Sequence, residues 1–472
     1  MNHKIIAFVL FINLFFICFC CNLSVAVATE NFGTAKIFSL LDGKLENELN
    51  FTPAGLNYSA STIDLGGDGQ DEILIGNGRF ESPMVKIMRS DGSTINSFLA
   101  YDKNFLGGVK VAGCDFNGDG QGEVLTSAGE GGTAHIRIFN GYGEPIINAG
   151  FFAFDKKYHH GAEVACVDIN GDKNDEIVAV AEESNNVIIK IFSSAGELIK
   201  SSKLNFKNKE VNLSSIDLGG DGKEEILVAG GKGNEAKVII YRGDLSLVNE
   251  LKNISAQNYL LGLHIFGFDV DQNKTGEIVT GFGIAGGSRL KITDGWGEIK
   301  TTLPEIQFAP EFNGGLIPLV GNFDQDTEKE IMILPESLIS GRADVYKYID
   351  VDVSDQRFRY YQNGYLINDV LTSSGKPSTP TRLGEFTAFS KYDMAYGGAD
   401  GQRWGMPYFI GFYKSGGLEN GIHELPFLNG RREGETSLGR AVSHGCVRLG
   451  IGEAKKVYDW VEIDKTKVIV HK

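Results

Sequence analysis

The chain has 472 residues, a length that predicts two or three domains rather than one. Apolar residues make up 42%, and 61 glycines against 11 prolines favour many strand turns over a disordered polymer. The formal net charge of −16 argues against a nucleic-acid partner, because phosphate binding needs clustered lysine and arginine. Such an acidic chain fits a location outside the cytoplasm and the binding of divalent cations.

Residues 1–28 have the features of a signal peptide. Lys4 supplies the positive charge, an apolar run from Ile5 to Cys21 follows, and Ala26-Val27-Ala28 is a small-x-small cleavage pattern. An uncleaved membrane anchor and a lipid anchor on an early cysteine are the alternatives. No later apolar stretch reaches the length of a membrane span. We therefore expect a mature chain that is exported to the periplasm, the cell wall or the extracellular space.

One motif recurs through residues 30–342 with a period of about 50 residues, the range of propeller blades. Each copy is an acidic loop that begins with Asp or Asn and ends with Glu, and strand-like alternation and glycine turns follow it. The loops, numbered one to six, are Asp64–Glu72, Asp115–Glu123, Asp168–Glu176, Asp217–Glu225, Asp269–Glu277 and Asn322–Glu330. A strand-like segment, Lys36–Ser39, precedes loop one, and no strand pair follows loop six. The pattern predicts six blades in a ring closed by the N-terminal strands, with seven blades as the alternative.

These repeats resemble the FG-GAP family of calcium-loop propeller repeats. The resemblance implies a cage of oxygen ligands for Ca²⁺, with side chains at loop positions 1, 3, 5 and 9 and a main-chain carbonyl at position 7. Loops two, three and five have all four side chains: Asp115, Asn117, Asp119 and Glu123; Asp168, Asn170, Asp172 and Glu176; and Asp269, Asp271, Asn273 and Glu277. The alternative is that these residues form tight turns without metal. We interpret the propeller as a binding or positioning module for an envelope glycan or protein.

Cleavage after Ala28 would leave three cysteines, Cys114, Cys166 and Cys446. Cys114 lies one residue before its loop aspartate, whereas Cys166 lies two residues before its own. Because neighbouring strand positions face opposite sides, we expect a bridge between these two to be disfavoured. Cys446 is then the thiol available for chemistry.

The pattern changes at Ala343, which predicts a second, smaller and mostly β domain over residues 344–472. Its first part, Val345–Ile367, reads as two strands with Asn363-Gly364 as a hairpin signal. A short amphipathic helix is expected over Glu453–Val461, and a closing strand begins at Lys467. The fold class is therefore mainly β throughout.

The segment from Ser443 to Arg448 has the parts of a cysteine nucleophile site. A thiol transfers acyl groups only as the thiolate, so Cys446 needs a base, and His423 lies upstream. Small residues before the cysteine leave main-chain N–H groups free to face an oxyanion.

Together with four other segments, this motif resembles the YkuD-type L,D-transpeptidase family from Tyr348 to the C-terminus. The segments are IDVDVSDQRFRYYQNGYLI, TSSGKPSTPTRLGEF, MPYFIGF and GIH. The resemblance implies that Cys446 is the nucleophile and that His423 is its base, oriented by a main-chain carbonyl near Glu424. It also assigns catalytic roles to His444 and Gly445, with the Cys446 N–H as an oxyanion donor. Substrate contacts are expected from Ser443, from Tyr408 and Trp404 as pocket walls, and from Arg448, which would pair with a stem carboxylate.

One departure from the family is the spacing between base and nucleophile motif. Residues 424–442, 19 in all, separate His423 from Ser443, a few more than is usual. The extra residues lie in a polar stretch, Asn429–Glu435, which we interpret as a lengthened loop.

The resemblance implies cross-linking of peptidoglycan stem peptides through a thioester, without a catalytic cofactor. Water as acceptor would make the same site an L,D-carboxypeptidase. A different kind of function is an adhesin-like, wall-binding scaffold whose catalytic domain is degenerate.

Overall fold

The computed structural model describes residues 34–147, 149–184, 186–252, 254–255, 259–300, 304–324, 326, 328–338, 340–399 and 402–472. The predicted signal peptide, residues 1–28, lies outside them. The first 23 strands, in chain order, are β1 (Thr34–Ser39), β2 (Leu45–Asn50), β3 (Ser59–Ile63), β4 (Glu72–Gly76), β5 (Met84–Met88), β6 (Thr94–Leu99), β7 (Val109–Cys114), β8 (Glu123–Ala128), β9 (His135–Phe139), β10 (Phe151–Phe152), β11 (Glu163–Val167), β12 (Glu176–Glu183), β13 (Asn186–Phe192), β14 (Leu198–Lys203), β15 (Val211–Ile216), β16 (Glu225–Gly230), β17 (Val238–Tyr241), β18 (Leu247–Leu251), β19 (Leu263–Phe268), β20 (Glu277–Phe282), β21 (Lys291–Thr293), β22 (Leu316–Gly321) and β23 (Glu330–Pro335).

These strands form six small antiparallel sheets, which are the blades of a propeller. Blades one to four are β3–β6, β7–β10, β11–β14 and β15–β18, blade five is β19–β21, and blade six is the sheet β2-β1-β23-β22. The first strands of consecutive blades contact one another all round the ring, from β3 to β22 and back to β3. The predicted six-bladed propeller is therefore confirmed.

Ring closure depends on a pairing between the two ends of the propeller. Strand β1 pairs antiparallel with β23, with Ile37 opposite Met332. The isolated Lys36–Ser39 segment and the incomplete last repeat thus complete one blade, as the sequence predicts.

The burial of a strand depends on its position within its blade. The second strand of each blade is almost entirely apolar and buried, as in β16, because other blades cover both of its faces. The fourth strand lies at the rim, and in β14 every residue is exposed. The acidic loops join the first and second strands.

A disulfide joins Cys114 in blade two to Cys166 in blade three, with Cα atoms 5.7 Å apart. The expectation that this bridge is disfavoured is wrong. Strands β7 and β11 are innermost strands of neighbouring blades and are not hydrogen-bonded to each other. The alternation of side chains within one strand therefore does not decide whether the two sulfur atoms meet. Cys446 is the free cysteine of the described residues.

The C-terminal domain contains a second set of strands and one α-helix. They are β24 (Lys347–Asp352), β25 (Arg357–Gln362), β26 (Tyr365–Ser373), β27 (Gly384–Thr387), β28 (Ser390–Ala399), β29 (Gln402–Ser415), β30 (Leu418–Glu424), β31 (Phe427–Leu428), β32 (Arg431–Arg432), β33 (Val447–Leu449), α1 (Glu453–Trp460) and β34 (Lys467–His471), with a 3-10 turn at Glu435–Ser437. The strands form one sheet, in the order β27-β34-β24-β25-β26-β33-β30-β29-β31-β32, and β28 pairs with β29.

The predicted helix and closing strand are confirmed, but the two strands expected over Val345–Ile367 are three. Asn363 and Gly364 form the predicted hairpin turn between β25 and β26, with φ of 51° and 81°. A second turn divides the earlier part into β24 and β25. In the part of the chain that the structure describes, no helix has the length and apolar character needed to cross a bilayer.

The propeller and the C-terminal domain belong to one compact unit and share one apolar core. The Phe312 ring of the propeller meets Tyr365 of β26 edge-on, with ring centroids 5.9 Å apart. Lys232 Nζ donates to the Ile367 carbonyl at 3.4 Å. The face of the propeller is thus packed directly against β26.

An ionic cluster also crosses this boundary, inside a cavity of about 560 Å³ between the two parts. On the propeller side, Lys209 Nζ lies 3.1 Å from Glu130 and 3.8 Å from Glu210. On the α1 side, Lys456 Nζ lies 3.0 Å from Glu453 and 3.9 Å from Glu210. Burial opposes ionisation of Glu210, but Lys209 and Lys456 outweigh it and lower its pKa to about 2. Glu210 therefore links the two parts by charge.

Candidate active site

Two parallel strands bring the candidate base and nucleophile together. Strand β30 carries His423, and β33 begins directly after Cys446. The two strands pair in parallel, with Ile422 opposite Val447 and His423 opposite Arg448. Residues far apart in the sequence thus become neighbours at one edge of β30.

His423 is held as a buried, neutral imidazole. It is 2% exposed, and its Nδ1 lies 2.6 Å from the Glu424 carbonyl oxygen, the main-chain acceptor expected from the sequence. That bond requires the proton on Nδ1 and leaves Nε2 as an acceptor. Burial and the charge of Arg448 together lower the pKa of His423 to about 4, against the opposing effect of the hydrogen bond to the Glu424 carbonyl.

The Cys446 thiol is also neutral at rest. Burial raises its pKa above the ordinary value, although the Gly421 main chain and the Arg448 charge oppose this effect. The strand pairing places this neutral thiol near a neutral imidazole, an arrangement in which an imidazole is able to accept the thiol proton during attack.

The loop before Cys446 is held by its own hydrogen bonds. Ser443 is 0% exposed, and its hydroxyl donates to the Cys446 carbonyl at 2.5 Å and accepts the Gly445 N–H at 3.1 Å. Its hydroxyl is therefore committed to the loop, in contrast to the substrate contact predicted for Ser443. The Gly445 N–H is engaged too, which leaves the Cys446 N–H as the candidate oxyanion donor.

Gly445 is the residue that this loop geometry requires. Its φ of 117° is unfavourable for any residue with a side chain. A Cβ atom here would also lie 2.9 Å from the Asn420 amide oxygen on β30. Glycine thus lets the loop approach β30 closely.

His444 lies beside a lysine that the sequence analysis did not single out. Lys376 Nζ is 3.0 Å from His444 Nε2. The Lys376 N–H also donates to the Ser443 carbonyl at 2.9 Å, so the loop after β26 supports the nucleophile loop. The Trp404 ring lies on the other side, with its centroid 6.2 Å from the His444 ring. Lys376 lies in the TSSGKPSTPTRLGEF segment, where no local pattern marks it as a neighbour of His444.

Arg448 already has a carboxylate partner within the chain. Its Nη1 donates to both carboxylate oxygens of Glu433, at 2.9 and 2.8 Å, and the residue is 5% exposed. The predicted pairing with a substrate carboxylate would therefore have to compete with Glu433. Glu433 is not predicted from the sequence, because the polar stretch Asn429–Glu435 contains two carboxylates and nothing distinguishes one from the other.

Tyr408 lies against the helix. Its φ is 52°. It lies on β29 between two residues that pair with β28, Pro407 opposite Met394 and Phe409 opposite Tyr392. The ring centroid is 5.8 Å from that of Tyr458 and 5.6 Å from Lys455 Nζ, both on α1. The role of Tyr408 as a pocket wall stays a prediction.

The acidic loops of the propeller repeat the same internal hydrogen bonds. In loop two, Asp115 accepts the N–H groups of Gly118 and Gly120 at 2.7 and 2.9 Å. Glu123 accepts the Phe116 N–H at 3.0 Å, and the last glutamate of every other loop accepts the corresponding N–H. These bonds explain part of the acidic pattern without a metal.

The carboxylates converge differently in the three predicted calcium loops. Among the described residues, those of loops two and three do not form a group of three whose oxygens lie within 4.8 Å of one another, whereas Asp269, Asp271 and Glu277 of loop five do. In loop five, however, Lys300 Nζ lies 2.7 Å from Glu277 and 3.1 Å from Asp271. An ammonium group therefore meets the carboxylates that were predicted to bind calcium.

A carboxylate from outside loop six lies close to the carboxylates of that loop. Glu46 on β2 joins Asp324 and Glu330 in a group whose carboxylate oxygens lie within 4.8 Å. Burial and the neighbouring Asp324 and Glu46 carboxylates together raise the pKa of Glu330 to about 7, against the opposing effect of the hydrogen bond from the Phe323 N–H. Calcium in the propeller stays a prediction for all of these loops.

Residues 346–470 match the family model of the L,D-transpeptidase catalytic domain, YkuD. A YkuD-type domain at residues 346–470, a range that includes His423 and Cys446, thus follows the six-bladed propeller. No curated protein matches the chain.

Several solved structures are similar to part of the chain. L,D-transpeptidase 1 of Mycobacterium tuberculosis is 23% identical, with 27% of this chain and 62% of that chain covered and a TM-score of 0.22. A point mutant of the Enterococcus faecium L,D-transpeptidase is 28% identical, with coverage of 26% and 49% and a TM-score of 0.22. The NMR structure of the E. faecium catalytic domain is 28% identical, with coverage of 26% and 96% and a TM-score of 0.21. The chain thus spans 62% of the length of the M. tuberculosis protein and 49% of the length of the E. faecium point mutant.

Proposed function

We propose that this protein is an exported L,D-transpeptidase that cross-links peptidoglycan stem peptides through a thioester on Cys446. The observation that carries the proposal is the pairing of β30 with β33, which sets a free cysteine beside a histidine whose Nδ1 is bound to the Glu424 carbonyl at 2.6 Å. The YkuD match over residues 346–470 supports the same chemistry.

Acylation begins with a tetrapeptide stem in the site. The Cys446 sulfur attacks the carbonyl carbon of the third residue while its proton passes to His423 Nε2. The oxyanion that forms accepts the Cys446 N–H, and the C–N bond to the terminal D-alanine then breaks. His423 gives its proton to the departing amine, and a thioester remains.

Deacylation reverses these roles. An amine from a second stem attacks the thioester carbonyl and gives its proton to His423. The C–S bond breaks, and the thiolate recovers the proton. Transfer to an amine produces a cross-link, whereas transfer to water produces only a trimmed stem, so the acceptor decides between transpeptidase and carboxypeptidase.

The propeller is proposed to position this site on the envelope. The shared apolar core and the ionic cluster around Glu210 support a fixed orientation of the catalytic domain on the propeller. Calcium in loops two and three would stiffen the ring by bringing their acidic side chains together.

The test is incubation of purified muropeptides with the chain from residue 29 onwards, with products separated by mass spectrometry. Dimers are expected from the wild-type chain, and trimmed monomers alone would indicate the carboxypeptidase. Cys446→Ala is expected to abolish both products and to melt at the wild-type temperature, because it removes one sulfur atom. A Cys446→Ala variant that still forms dimers would contradict the assignment.

A further inference from the structure

Arg448 lies at the centre of a charged cluster beside the nucleophile. It follows Cys446 by two residues and stands opposite His423 across the parallel pair. Its guanidinium lies between the Glu433 carboxylate, at 2.8 and 2.9 Å, and the Trp404 ring, whose centroid is 5.7 Å from Cζ. The positive charge of Arg448, two residues from the thiol, is therefore matched by one carboxylate.

That carboxylate comes from the residues that lengthen the gap between base and nucleophile. They form a small hairpin, β31–β32, turned at Asn429 and Gly430 with φ of 50° and 78°. The hairpin pairs with β29, with Leu428 opposite Trp404. The Glu433 N–H donates to the Pro426 carbonyl at 2.8 Å, so the main chain at Glu433 is held in place.

Other polar groups near the site have partners of their own among the described residues. Glu424 Oε1 lies 2.5 Å from Arg432, and its Oε2 accepts the Gly452 N–H at 2.7 Å. Lys376 lies against His444 at 3.0 Å. Among the described residues, only Glu433 forms a salt bridge with Arg448.

We propose that Glu433 is a positioning residue of the acyl-transfer site, which holds Arg448 and cancels its charge beside Cys446 and His423. Loss of the carboxylate would leave a buried cation near the thiol, and that charge would stabilise the thiolate. The inference rests on the proposed function only in treating Cys446 as the nucleophile. It assigns a purpose to the longer gap, since that gap contains Glu433.

The test is the rate of alkylation of Cys446 by iodoacetamide as a function of pH, followed by mass spectrometry of the peptide that contains Cys446. Glu433→Gln is expected to alkylate about tenfold faster than wild type at a fixed pH below the midpoint, the effect of about one pKa unit. Glu433→Asp keeps the negative charge but moves it away from Arg448, because the aspartate side chain is one methylene shorter. A smaller increase in the alkylation rate is therefore expected. Glu435→Gln is the matched control, since it removes an equal charge two residues away, and its profile is expected to coincide with wild type.

A folded Glu433→Gln protein with the wild-type alkylation profile would overturn the proposal. Removing one partner of a buried pair is destabilising, so circular dichroism is used to check that each variant is folded. If the glutamine variant does not fold, Glu433→Asp decides, and a profile that coincides with wild type would then overturn the proposal. Alkylation needs no stem peptide, so a chain that forms no cross-links still gives a valid answer.

Discussion

Replacing His423 by glutamine is expected to remove part of the pH dependence of folding. In the folded chain the pKa of His423 is lowered by burial to about 4, against 6.5 for the ordinary imidazole. As the pH falls below 6.5, the unfolded chain binds a proton that the folded chain refuses, so this residue destabilises the fold towards acid. The two pKa values correspond to a loss of about 2 kcal/mol in the free energy of unfolding between pH 7 and pH 5.

Chemical denaturation at pH 7, 6 and 5 measures this loss, with tryptophan fluorescence as the signal. Trp404 and Trp460 lie in the catalytic domain and report its unfolding. Glutamine does not titrate, and its amide N–H is able to donate to the Glu424 carbonyl. The wild-type chain should therefore lose about 2 kcal/mol relative to His423→Gln on going from pH 7 to pH 5.

His471 provides a control of opposite sign. Its Nε2 lies 2.9 Å from Asp350, and although burial opposes protonation, the Lys472 main chain and the Asp350 carboxylate raise its pKa. Its stabilising effect is complete below the unfolded pKa and is lost as the pH rises through the folded value. His471→Gln should therefore be most destabilising at low pH. Identical pH dependence in wild type and His423→Gln would refute the picture of a buried neutral imidazole.

Two further predictions concern the propeller and its boundary. Lys300→Met removes the ammonium group from loop five. The number of calcium ions bound per chain, measured by isothermal titration calorimetry, is then expected to rise by about one. An unchanged number would show that loop five does not bind calcium even without the lysine. Lys456→Met leaves Glu453 without a cation and Glu210 with Lys209 alone, and it is expected to cost about 2–3 kcal/mol of unfolding free energy, below the full cost of breaking a buried pair because the cavity admits solvent. Lys455→Met, which breaks a helical pair with Asp459 and a contact with the Tyr408 ring outside the ionic cluster, should cost about 1 kcal/mol or less, and equal effects of the two would contradict the role of the ionic cluster.

The features that the sequence predicts well are those set by local or periodic patterns. The recurring acidic loops predict the number of blades, and the unmatched Lys36–Ser39 segment predicts how the ring closes. Asn363-Gly364 predicts a hairpin because few other pairs adopt two left-handed residues in succession. The same signal at Asn429-Gly430 was overlooked, because the polar residues around it suggested a plain loop.

The features that the sequence does not predict are contacts between distant segments. Lys300 meets the loop five carboxylates across the blade, and Glu433 meets Arg448 from a separate hairpin. The Cys114–Cys166 bridge depends on how two blades pack, which the alternation within a strand does not report. Such partners are chosen by tertiary packing, and no spacing along the chain encodes them.

The pairing of β1 with β23 also constrains when the propeller is able to fold. Within the propeller, residues 34–39 leave the ribosome before the other strands, yet their partner strand, Glu330–Pro335, emerges almost 300 residues later. Until then β1 and β2 have an open edge and no blade to join, and a contact of such long range forms slowly. Chains that end before Pro335 would expose this edge to other copies. The ring is therefore able to close only after synthesis has continued almost to the catalytic domain.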